Sequence, residues 1–134
     1  MWSTVQVALA PGLSDEGRSD YSRPPRLADV DDGLSNTLLV VEQAGKPNYV
    51  WRPFPDYHLD LSLGPWLTCE WAFFSEEPVN TINASGIYAF HPSVAQVLLC
   101  DGSVRAMSEA TPHAVYLSLV SRSGGEVIRD QDWQ

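Results

Sequence analysis

Asp101-Gly102 separates two runs of strand character, Val97-Leu98-Leu99-Cys100 and Ser103-Val104-Arg105-Ala106-Met107. A two-residue reversal between paired strands needs positive φ at both central positions, and Asp-Gly accepts that strain. The pattern therefore predicts an antiparallel β-hairpin with a type I′ turn. On its second strand, Val104 and Ala106 share one face and Arg105 and Met107 the other. Thr111-Pro112 then opens a helix, because Thr accepts from free N–H groups and Pro suits the first helical position. Val115, Tyr116, Leu119 and Val120 form its apolar stripe. Arg122 is expected in the last turn, where a cation suits the dipole. Gly124-Gly125 is expected to stop the helix, and Glu126-Val127-Ile128 to return as a last short strand.

Upstream, Asp31-Asp32-Gly33 is a turn signal. Thr37-Leu38-Leu39-Val40-Val41-Glu42 has the length and β-branching of a buried strand, which Ala44-Gly45-Lys46-Pro47-Asn48 ends. Tyr49-Val50-Trp51 restarts an extended segment. Residues 52–81, punctuated by Pro53, Pro55, Pro65 and Pro78, read as an irregular aromatic insertion with one strand near 67–73. Ile87-Tyr88-Ala89-Phe90 is strand-like. Residues 1–28 read as a lead-in with a short strand at 4–9, and Arg23-Pro24-Pro25-Arg26 is extended because proline restricts the residue before it. The expected fold class is α+β: one domain over 1–134, with an antiparallel sheet and one C-terminal helix packed on it.

A chain of 134 residues suffices for one buried core. Its net charge of −9 repels phosphate backbones, which argues against nucleic acid as a partner. With a single lysine, Lys46, it offers no basic cluster to anionic lipid. No run approaches the ~18 apolar residues of a membrane helix, and residues 1–11 lack the basic start of a signal peptide. No membrane contact by this segment is expected. Cys69 and Cys100 fit either a disulfide outside the cytosol or two buried thiols, without a C-x-x-C redox motif. G-x-S-x-G, H-E-x-x-H, P-loop and G-x-G-x-x-G signatures are absent, so an enzyme is not expected.

His91, nine residues and then Asp101-Gly102 resemble the H-x9-DG motif of a large bacterial family of prepilin-like proteins. Two further blocks agree. Asp32-Gly33-Leu34-Ser35-Asn36-Thr37, with the strand after it, is similar to the family's DGTSNT block. Ser121-Arg122-Ser123-Gly124-Gly125-Glu126 is similar to its TRAGGE ending. The resemblance covers roughly residues 26–130. It implies a pilin-like head that an apolar N-terminal helix would anchor in a fibre or pseudopilus, as in type II secretion. Its partners would be other pilin-like subunits or secretion and envelope proteins, and its role assembly without catalysis or cofactor. The expected location is the cell envelope or outside it if such a helix precedes Met1, and the cytoplasm if Met1 is the native start. Two departures stand out: the helix is missing from this sequence, and Ser93-Val94 follow His91-Pro92 where the family has two glycines. The related major pseudopilins carry a C-terminal calcium loop, which makes Asp130 and Asp132 candidate calcium ligands. A solvated acidic tail is the favoured alternative.

Other residues carry candidate chemistry on their own. His91 and Asp101 form a metal or acid–base pair in one reading. In the favoured one, His91 bonds the turn backbone and Asp101 makes the turn, since such a pair without a nucleophile or third ligand rarely does chemistry. Trp51, Tyr57, Trp66 and Trp71 either stack on a glycan or small solute or, as favoured, fill the core and loops. Asp29, Asp31 and Asp32 lack the EF-hand spacing. Asn83-Ala84-Ser85 fits a glycosylation sequon. The reading is a structural interaction head, with a glycan- or solute-binding module as the alternative.

Overall fold

Every second residue of the strand Val94–Leu99 is buried: Ala95, Val97 and Leu99 are at most 2% exposed while Gln96 faces solvent. That period-two pattern builds one inner face of a sheet. The computed structural model describes residues 3–7, 26–45, 50–52, 78–83 and 87–133. Its strands are β1 (Ser3–Val7), β2 (Leu38–Ala44), β3 (Val94–Leu99) and β4 (Val104–Ser108), and its helix is α1 (His113–Val120). Single 3-10 turns lie at Leu27–Asp29, Leu34–Asn36 and Asp130–Asp132. The sheet order is β1-β2-β3-β4, with antiparallel neighbours throughout. The arrangement is mixed α+β.

β2 pairs Leu38 with Leu99 and Val41 with Val97, and its register shifts between Leu38 and Val40. The extra residue is a bulge. It lets two residues three apart, Leu38 and Val41, both face inward and become fully buried. On β4 the same inner face carries Met107, opposite Ala95, while Val104 and Ala106 point outward. Tyr116 and Leu119 of α1 join Val97, Leu99 and Met107 in the core. Each such buried side chain contributes roughly 2 kcal/mol through apolar area removed from water.

Several local expectations give way. β3 and β4 are joined through Cys100-Asp101-Gly102, and among the described residues of that connection only Gly102 has positive φ, at 86°. Gly102 N donates to Leu99 O at 3.0 Å and Leu99 N to Ser103 O at 2.9 Å. This three-residue connection needs one left-handed residue and not the two of a type I′ turn. Thr111 does not cap α1. Its Oγ1 donates to Trp133 O at 3.1 Å, and Pro112 takes the cap position. The helix ends at Val120, so Arg122 lies beyond it and the glycine pair does not stop it. Residues 126–128 form no strand: Val127 is 91% exposed, and Ile128 packs on the core. Tyr88 makes only an isolated parallel bridge to Gln43, and Trp51 an antiparallel one to Ile82. The strand expected at 67–73 lies outside the described residues. Among the described residues, no helix is long and apolar enough to cross a membrane.

Burial pushes the Tyr116 phenol well above its ordinary range. An unfolded tyrosine ionises near pH 10, and the folded one stays neutral there. Stability from this group is therefore complete below about pH 10 and declines as pH rises beyond it, by roughly 1.4 kcal/mol per unit. Thermal unfolding between pH 8 and 11.5 should show a shallower decline for Tyr116→Phe than for the wild type. Parallel slopes would place the phenol in water.

Candidate functional site

The segment 31–37 joins the two other blocks singled out in the sequence. Arg122 O accepts from Asp31 N at 2.7 Å and from Asp32 N at 3.1 Å. In return, the Asp32 carboxylate accepts from Gly124 N at 2.8 Å through Oδ2 and from Gly125 N at 2.7 Å through Oδ1. Gly125 has a reason to be there: its φ of 77° lies in a region that costs other residues strain. A Cβ on Gly124 would meet only the end of the exposed Glu126 side chain, which can swing aside. On the other side, Leu34 O accepts from Asp101 N at 3.0 Å and Thr37 O from Cys100 N at 2.9 Å. Thr37 is buried, and its hydroxyl donates to Gly33 O at 3.1 Å with Ser121 O within 3.5 Å. The β3–β4 connection, the 31–37 segment and the loop after α1 thus form one hydrogen-bonded end of the molecule.

Within that end Asp101 acts on its own turn. Its Oδ1 accepts from Ser103 Oγ at 2.6 Å and from Ser103 N at 2.8 Å, and these bonds, the hydroxyl first, hold its carboxyl below the usual carboxylate range. The neighbouring Cys100 thiol is raised, first by burial and then by the Asp101 charge, which disfavours a thiolate nucleophile.

His91 lies elsewhere. Its ring is 57% exposed, with Nε2 at 3.6 Å from Glu42 Oε1, and Glu42 Oε2 accepts from Gln96 N at 3.0 Å. β3 alone spans about 20 Å between His91 and Asp101. The two therefore form neither a metal pair nor an acid–base pair, and His91 faces Glu42 and not the turn backbone. Asp132 Oδ2 accepts from Arg129 N at 2.9 Å, capping the turn that Asp130 opens. Among the described residues, no three His, Cys, Asp or Glu side chains come together. Trp51 is half-buried. Tyr57, Trp66, Trp71 and Cys69 lie outside the described residues.

Two buried asparagines hold loops together through contacts that no local sequence signal reveals. Asn83 Oδ1 accepts from Val50 N at 2.8 Å and its Nδ2 donates to Ala44 O at 3.1 Å, so the sequon nitrogen is buried and engaged. Asn80 is bonded in the same manner, to Ala89 and Val94. Arg52 donates to Glu109 Oε2 at 3.0 Å and to Ala89 O at 3.3 Å, with its guanidinium 5.6 Å from the Tyr88 ring centroid. Arg52 and Glu109 flank a shallow cleft of about 400 Å3 lined by Pro78, Val79, Asn80 and Thr81. Their charges offset each other across it, leaving no nucleophile–base arrangement among the described side chains lining it.

No protein-family model, no curated protein and no solved structure matches the chain. The hydrogen-bonded end therefore stands on its geometry. Asp32→Asn replaces one acceptor oxygen by a donor facing a glycine N–H. It should cost about 1 kcal/mol, modest because the bonds are exposed. Urea denaturation measures this, and hydrogen exchange at Gly124 and Gly125 should quicken in step. Unchanged exchange at both amides would show that the carboxylate does not hold them.

Proposed function

We propose that the chain is the non-catalytic head of a pseudopilin-like subunit, which presents its loops to other pilin-like subunits or to secretion and envelope proteins. The observation that carries this reading is where the three resembling blocks lie. Asp32 holds Gly124 and Gly125, and the 34 and 37 carbonyls receive Asp101 and Cys100. The Asp32 carboxylate and the backbone groups of these blocks are thus spent on fixing loops to one another. In an enzyme, such groups would be aimed into a cleft. In this reading, the β3–β4 unit is the family's Asp-Gly hairpin, and α1 seals the sheet of a pilin-like head.

The test is made in the native host, with the whole gene and a photocrosslinking amino acid at position 127, where Val127 is 91% exposed. The expected result is a product in the envelope fraction, crosslinked to a pilin-like subunit, whose gene encodes an apolar helix and prepilin cleavage site ahead of Met1. A product that stays in the cytosol and crosslinks to no such subunit overturns the reading.

A further inference from the structure

The hydrogen bonds at the two ends of the β3–β4 pair set the phase of its ladder. Leu99 N donates to Ser103 O at one end, and Glu109 N donates to Ser93 O at the other. With Val97 opposite Arg105 and Ala95 opposite Met107, alternation turns the backbone groups of Arg105 and Met107 toward β3. Those of Val104, Ala106 and Ser108 turn away from it. Among the described residues β4 is the last strand of the sheet, so these groups form its edge. Trp133 O takes the Ser108 N–H at 3.1 Å. Among the described residues, nothing pairs with the outward N–H and C=O groups of Val104 and Ala106.

We propose that this edge receives an added strand: an extended, net basic, β-branched segment of another polypeptide, hydrogen-bonded to Val104 and Ala106. Strand addition of this kind draws affinity from backbone bonds and specificity from alternate side chains. The outer face says which side chains fit. Val40, Leu98 and Val104 are cross-strand neighbours, and this apolar row stops in the open at Val104, which is 66% exposed. A β-branched residue beside Val104 continues the row. The net charge of −9 favours a basic partner and opposes a second copy of this chain. Antiparallel pairing of two β4 edges through Val104 and Ala106 would also set the two Arg105 side chains face to face, and like charges directly opposite are destabilising. The inference does not depend on the pilin-like reading.

The probe is a capped synthetic peptide of alternating valine and threonine with lysine at both ends, and its control has glutamate at both ends. In the free protein, the Val104 and Ala106 amides should exchange at least about 100-fold faster than those of Arg105 and Met107. The lysine-ended peptide should slow them, and the glutamate-ended peptide should not. Ala106→Pro removes only an outward N–H, a change that edge strands tolerate. It should weaken the peptide about tenfold while circular dichroism and melting temperature hold, and Val104→Pro serves as a second variant should the first misfold. Slow exchange at both amides in the free protein overturns the proposal. So does unchanged affinity in the folded proline variants, or equal binding of the control peptide. Protection that grows with protein concentration assigns the edge to a second copy and overturns the basic partner.

Discussion

Asn80→Ala should lower the unfolding free energy by about 4 kcal/mol, a large share of the roughly 5–15 kcal/mol that holds a domain folded. Asn80 is 1% exposed and sits at φ of 65°. Its Oδ1 accepts from Ala89 N at 2.7 Å, its Nδ2 donates to Val94 O at 3.0 Å, and its backbone N donates to Ile87 O at 2.9 Å. Truncation strands a buried donor, Ala89 N, and a part-buried acceptor, Val94 O, at roughly 1–3 kcal/mol each. Alanine also pays about 1 kcal/mol for the left-handed backbone, which asparagine tolerates. Asn80→Gly separates the two effects, since it relieves the backbone and still leaves both groups unpaired. It should recover at most about 1 kcal/mol. Urea denaturation at unchanged m-value measures both. A loss for Asn80→Ala below about 1 kcal/mol would mean that water reaches Ala89 N and Val94 O.

The contrast between what was readable and what was not follows the range of the interactions. Tyr116 and Leu119 recur at helical spacing, so the helix stripe was visible in a short window, whereas Ala95, Val97 and Leu99 sit in what reads as one apolar run and show their alternation only in the fold. Partners far along the chain were not visible. Gly124-Gly125 looks like a helix stop because glycine reports positive φ, and it does not report which distant group its amide serves. Here that group is the Asp32 carboxylate, 92 residues from Gly124. Thr111 looks like a cap because its hydroxyl can accept, yet the same hydroxyl donates to a carbonyl 22 residues away. His91 and Asp101 look like one motif because they are close in sequence. The extended chain of β3 carries them to opposite ends of the sheet. The three resembling blocks could be quoted from the sequence, but nothing local says that the first is bonded to the other two.

The C-terminal segment carries the second large effect, because one aromatic residue changes its character. Asp130 and Asp132 suggest a solvated acidic tail, and such a tail could be truncated at no cost. Trp133 is instead 2% exposed and belongs to the core with Met107 and Leu119. The Arg105 guanidinium lies 6.0 Å from its ring centroid. Its carbonyl holds Ser108 N and Thr111 Oγ1, each at 3.1 Å. Trp133→Ala should therefore cost about 3–5 kcal/mol, the range for emptying a large aromatic site. In a chain of this length, that lowers the melting temperature by more than about 10 °C. Trp133→Phe refills part of the volume and should lose about half as much. A shift under about 2 °C for Trp133→Ala would return the segment to solvent. The alanine variant keeps its backbone carbonyl, so the Ser108 amide adds a separate reading. If the buried ring is what presses the tail against β4, exchange at Ser108 should rise to the rate of Val104 and Ala106 beside it.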